Sequence, residues 1–197
     1  GFARGDHHVP EAQGLMDVAA LYVDRRGPYW GMPGVDCWDE ERDAARYSGP
    51  HPVVAHPPCG PWGRLHRFCT RQDASLGPLA VEQVRRWGGV LEHPKASRLW
   101  KHCSLPLPGE LPDAFGGRTA EVAQVNWGHR AQKDTWLYIV TPIVGAVELP
   151  RGAKATHVVT TSRSNRVALP ECGKVERRLT PPRFAEFLVE LARGARR

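Results

Sequence analysis

The stretch Val53-Val54-Ala55-His56-Pro57-Pro58-Cys59-Gly60-Pro61-Trp62-Gly63 sets a thiol where a chain can do chemistry. Val53 and Val54 are β-formers, and a strand through them must stop at Pro57, because proline lacks the backbone N–H and fixes φ near −65°. Cys59 therefore sits on a stiff loop at a strand's carboxyl end. A thiol held there is placed to meet a substrate, whereas a packing cysteine usually lies within an element. Its chemistry is nucleophilic addition.

A second chemical group follows at a fitting distance. Glu92-His93-Pro94 closes the run Val90-Leu91, and between the two loops "SLGPLAVEQVRRWGG" places Leu76, Leu79 or Ala80, Val84 and Trp87 on one helical stripe that ends at Gly88-Gly89. Strand, loop, helix and strand make a βαβ unit, which favours a parallel pair. In such sheets ligands gather at the carboxyl ends of the strands, so Cys59 and Glu92 are expected to face one crevice.

The remaining elements frame this unit. Leu21-Tyr22-Val23 and Val35-Asp36-Cys37-Trp38 read as short strands, and Asp39 to Tyr47 as a helix or turn. Trp136 to Val140 is the most β-prone run, with Ala123 to Trp127 as its expected partner. Thr180 is expected to cap a closing helix with Pro181 at its first position and Phe184, Phe187 or Leu188, and Leu191 on its apolar stripe. The order of elements predicts an α/β fold.

With 197 residues the chain suits one domain with a short appendage. Met16 reads like a natural start, so residues 1–15 are expected to lie upstream of a core over 16–145, with a basic segment over 146–197 ending in a helix packed on that core. No apolar run is long enough to span a bilayer and no leader pattern precedes it, from which a cytoplasmic protein is expected. Five cysteines without a Cys-x-x-Cys pair point to reduced thiols rather than a disulfide scaffold. His66, Cys69, His102 and Cys103 could supply zinc ligands, but the second pair is adjacent in sequence, a poor arrangement for a tetrahedron, and no metal is expected. The charge is uneven: residues 151–197 hold eleven Lys and Arg against four Glu, a net +7, leaving −1 for the first 150. That is the footprint of a segment lying on a polyanion, although a solvated tail carries the same signature.

In its order of landmarks the chain resembles the DNA cytosine-C5 methyltransferases. "HPPCGPWG" is similar to their Pro-Pro-Cys nucleophile loop and "LEHP" to the loop whose glutamate touches the pyrimidine; "VNWGHRAQKDTWLYIV" and "RRLTPPRFAEFLVELA" resemble two later segments. The resemblance implies a Rossmann-like, methyltransferase-like, mostly parallel sheet with flanking helices. It implies that Cys59 adds to carbon 6 of a cytosine, making carbon 5 nucleophilic, while Glu92 supplies the hydrogen bond or proton at N3. Pro57 and Pro58 would shape the substrate loop, with His93 beside Glu92 and Trp62 supporting a flipped base. A cation near the ring would come from Arg64, Arg130 or Lys133. S-adenosylmethionine is the implied cofactor, with Asp24 and Gly27 after the first strand and Asp39 after the second as its contacts. The segment "LYVDRRGPYWGMPG" lacks the family's Phe-Gly loop, and "VDCWDEERDA" must serve as the second strand with Asp39 at its acidic end, so a contracted or lost cofactor lobe is expected.

Arg163, Arg166, Arg177 and Arg178 are the expected phosphate contacts. The leading expectation is modification of a pyrimidine C5 in DNA through a covalent Cys59 adduct. The alternatives are an enzyme acting on a free pyrimidine nucleotide, which the basic C-terminus disfavours, and an inactive nucleic-acid-binding module on the same scaffold.

Overall fold

The computed structural model describes residues 17–63, 66–69, 73–142, 149–159 and 169–195. Buried apolar runs build the centre: all of β1 (Val18–Leu21) and β3 (Val53–Ala55), and the first three residues of β4 (Gly89–Pro94). Continuous apolar runs of this kind suit strands covered on both faces. With β2 (Val35–Trp38), β5 (Arg118–Ala123) and β6 (Asp134–Val140) they form one six-stranded sheet in the order β2-β1-β3-β4-β6-β5. The pairs β2·β1, β1·β3 and β3·β4 are parallel, and β6 runs antiparallel to both β4 and β5. Five strands thus end at one edge, with β6 beginning there.

The two-residue alternation of β1 divides the core. Val18 and Ala20 join Val54, Val90, Leu137 and the buried face of α3 (Pro182–Arg193), which presents Phe184, Ala185, Leu188 and Val189. Ala19 and Leu21 join Val53, Leu91 and Tyr138 under α1 (Leu76–Trp87) and α2 (Arg98–His102), where Ala80, Val84, Leu99 and Trp100 pack. The protein is an α/β sandwich with a mostly parallel sheet between helices, compatible with a Rossmann-like fold. The C-terminal helix packs against β1, β3 and β4 and forms one face of the same core.

The strands at Val35–Trp38 and Val53–Ala55, and the helix at Leu76–Trp87, fall where the pattern placed them. Three details differ. The first strand ends at Leu21, because Tyr22 takes φ +59°, which breaks the ladder, and donates its hydroxyl to Gln83. Residues 124–127 form a 3-10 turn closed by Gly128 at φ +97°, and β6 pairs instead with Arg118–Ala123; the tertiary hydrogen bonds of Gln124 override the local β-propensity. Pro181, rather than Thr180, is the N-cap of α3, with Pro182 at the first helical position. Asp39 to Tyr47 yields only the 3-10 turn Ala44–Arg46. Among the described residues no helix is long and apolar enough to cross a membrane.

Candidate active site at the carboxyl edge of the sheet

Parallel pairing of β3 with β4 puts the two loops side by side. Ala55 pairs with Leu91, so His56 to Cys59 leave the sheet next to Glu92. The Cys59 loop is closed on itself: the Cys59 carbonyl accepts from the N–H of Trp62 at 3.1 Å and of Gly63 at 2.8 Å. Its ends are fixed by His56 N–H donating to Leu21 O at 3.0 Å and Arg98 N–H to Trp62 O at 3.0 Å. Pro57 is buried, while Cys59 itself is exposed.

Glu92 is enclosed and held. His56 Nδ1–H donates to Oε2 at 3.1 Å, and Gln124 Nε2 donates to Oε1 at 3.0 Å. A carboxylate only accepts, so the His56 proton must sit on Nδ1, and its Nε2 bonds the buried Tyr29 hydroxyl at 2.6 Å. Gln124 also donates to Thr135 Oγ1 at 3.0 Å. Burial alone would raise the Glu92 pKa, but the His56 hydrogen bond and charge and the Lys133 charge outweigh it and bring it down to about 2. The carboxylate is therefore ionised at neutral pH, with an acceptor site left on each oxygen.

Lys133 completes the cluster. Burial lowers its pKa, against the charges of Glu92, Cys59 and Cys172, and its Nζ donates to Leu179 O at 2.6 Å. The Cys59 pKa is raised: desolvation of the thiol is the main cause and the Glu92 charge the second, while a backbone hydrogen bond within the loop, Lys133 and Arg178 pull it down. An accessible thiol, an ionised carboxylate and a cation thus share one field, in which neutralising Glu92 would favour the thiolate.

The other expected residues are distributed as follows. His93 is completely buried on the alternate face of β4 and packs 6.4 Å from Trp100; burial brings its pKa down to about 4, against the Glu92 charge and the Pro58 carbonyl, so it is neutral and does not reach the opening. Trp62 is half-buried, its ring 4.9 Å from His102 and tight against Gly77, where a Cβ would come within 2.5 Å of Nε1. Pro58 is half-buried on the same loop. Arg130 is exposed and engaged by Glu176 and His157, whereas the charge of Lys133 acts on both Glu92 and Cys59. Arg177 and Arg178 lie on the 3-10 turn Glu176–Arg178. Arg64, Arg163 and Arg166 lie outside the described residues. The pairs His66/Cys69 and His102/Cys103 do not converge: among the described residues no group of three or more His, Cys, Asp or Glu is placed to hold a metal.

Beside this cluster, at the ends of β1 and β2, a cleft of about 460 Å³ is lined by Val23, Asp24, Arg25, Asp39, Glu40 and Glu41. The lining carries four acids, Asp24, Asp39, Glu40 and Glu41, against the single cation Arg25. Asp39 is buried there, accepting Arg42 N–H at 2.9 Å, and the exposed Arg25 guanidinium reaches Asp39 at 3.7 Å and Glu41 at 2.8 Å. Gly27 serves its own turn, since a Cβ there would lie 2.9 Å from Asp24 O. Among the described residues the β1–β2 connection contains no helix, and three strands, β1, β2 and β3, precede the cysteine loop.

Sequence reasoning missed three members of the site. His56 directly precedes Pro57 and shares the cysteine's loop, a signal open to a reader who asked what would hold Glu92 ionised. Tyr29 and Gln124 carried none, because a loop tyrosine and the first residue of a 3-10 turn reach Glu92's neighbourhood only through the sheet order. No family model matches this chain, and no curated protein or solved structure matches it either, so its function is argued from the site.

Proposed function

We propose that the protein activates carbon 5 of a cytosine in DNA by adding the Cys59 sulfur to carbon 6. The observation that carries this is the pairing of an accessible thiol on a rigid loop with a buried, ionised carboxylate at the end of the adjacent parallel strand. A cytosine edge offers Glu92 the N–H of its exocyclic amine and a protonated N3, matching the two acceptor sites left free. That contact neutralises the Glu92 charge, after which Lys133 and Arg178 dominate the field at Cys59 and favour the thiolate.

The sulfur lone pair forms the S–C6 bond and the C5–C6 π pair moves towards N3, which the Glu92 contact stabilises. Carbon 5 then takes an electrophile with the pair returned from N3 and gives its original proton to a solvent water, and that C–H pair re-forms the C5–C6 double bond as the C6–S pair leaves on the sulfur as thiolate. Where the electrophile is a methyl group, Asp24 and Asp39 would hold the cationic donor in the neighbouring cleft, and S-adenosylmethionine would supply the methyl. Where it is a solvent proton, the cycle exchanges the C5 hydrogen.

That exchange is the test. In D2O, cytosines in single-stranded DNA are expected to gain deuterium at C5 with the protein, and not with Cys59→Ala or Glu92→Gln. Exchange on deoxycytidine monophosphate but not on DNA would assign a free nucleotide as substrate. No exchange on either, with DNA binding intact, would overturn the enzymatic reading. Exchange that S-adenosylmethionine leaves unaltered, without 5-methylcytosine, would reject that donor while keeping the covalent step.

A further inference from the structure

A base in a duplex must leave the stack before Cys59 and Glu92 can reach its ring, and the vacancy must be filled or the stack closes again. The rim of the site carries groups of that kind. The 3-10 turn Glu176–Arg178 is flanked by Val175 and Leu179, large apolar side chains that are 74% and 50% exposed. Lys174, Arg177 and Arg178 lie in the same short stretch, their side chains in no ion pair or hydrogen bond among the described residues, and the turn's single acid, Glu176, is taken up by Arg130. Two exposed apolar side chains interleaved in sequence with three cations are complementary to a polyanion with an apolar interior.

The turn is also tied to the reacting groups. The carbonyl of Leu179 accepts from Lys133 Nζ at 2.6 Å, the same lysine whose charge is felt at Glu92 and Cys59, and Arg178 is felt at Cys59 directly. Leu179 is therefore fixed to the wall of the site by its backbone, while its side chain stays half in solvent.

We propose that Leu179, with Val175 beside it, enters the base stack of duplex DNA and occupies the gap left by the extruded cytosine, while Lys174, Arg177 and Arg178 hold the flanking phosphates. This rests on the reading of Cys59 and Glu92 as acting on a base in DNA. Leu179→Ala keeps the backbone carbonyl that positions Lys133 and removes only the wedge.

The experiment compares C5 deuterium exchange by the protein and by Leu179→Ala on a mixed-sequence duplex and on its single strand. The expected result is a loss of about tenfold or more on the duplex, the scale of failing to hold an unstacked base, with single-strand exchange within about twofold and duplex activity recovered by Leu179→Met. Equal loss on both substrates would mean that Leu179 acts only through Lys133, and no loss on the duplex would leave it without a role; either overturns the proposal. A duplex with 2-aminopurine in the strand reads extrusion without chemistry. Fluorescence should rise with Cys59→Ala protein and stay flat with the Cys59→Ala/Leu179→Ala double variant, so absent exchange with a Leu179-dependent rise separates failure of the covalent step from failure of the wedge. A flat signal with both proteins overturns the wedge.

Discussion

Replacing His56 with alanine removes the side chain that donates to Glu92 Oε2 at 3.1 Å and leaves a buried carboxylate with Gln124 as its remaining hydrogen-bond donor among the described residues. Glu92 titrates at about 2 instead of 4.5. At about 1.4 kcal/mol per unit, that difference is about 3 kcal/mol favouring the charged form in the folded protein. His56 is the largest opponent of desolvation in that balance, ahead of Lys133. Breaking such a buried pair strands the carboxylate, so His56→Ala is expected to lose about 2–4 kcal/mol of stability at pH 7.

The sign of the pH dependence follows from the direction of the shift. Because the folded pKa lies below the unfolded one, Glu92's contribution is fully present above about 4.5 and fades as pH falls towards 2. The penalty in His56→Ala should therefore be largest at neutral pH and shrink below pH 4.5. Urea unfolding at pH 7, 5 and 3 reads this directly, and a double-mutant cycle with Glu92→Gln should return a coupling of about 1–3 kcal/mol. An unchanged urea midpoint at pH 7, or a penalty as large at pH 3 as at pH 7, would refute the argument that His56 holds this carboxylate charged.

The remaining predictions address charge and backbone. Arg177→Ala/Arg178→Ala should weaken binding to DNA and lower the slope of log affinity against log salt by about 1–2; equal affinity with an unchanged slope in fluorescence anisotropy would deny them phosphates. Gly89→Ala places a Cβ 2.0 Å from Val53 O at a residue with φ +112°, so β3 and β4 cannot keep their register. A loss above about 3 kcal/mol, or failure to fold, is expected in thermal unfolding, and a near-native melting temperature would contradict the close approach of the strands.

How much of this was legible beforehand differs between the elements and the site. Pro57 and Pro58 stop a strand whatever surrounds them, the glycine pair at 88–89 ends a helix, and the stripe on residues 76–87 needs only the helical period, so the βαβ unit and its two chemical loops followed from local chemistry. The β5 segment did not, because Arg118–Ala123 has a mixed burial pattern and Gln124 turns inward to serve Glu92, a contact between residues far apart in sequence. Cys59 and Glu92 were named from residue type and order. Which cation acts on them was decided by the fold: Arg130 is drawn off by Glu176, while the charge of Lys133 bears on both Glu92 and Cys59. The ionisation of Glu92 belongs to the tertiary structure in the same way, since a carboxylate's proton affinity is set by what surrounds it, and Tyr29, His56 and Gln124 meet around it only when three different strands end at one edge of the sheet.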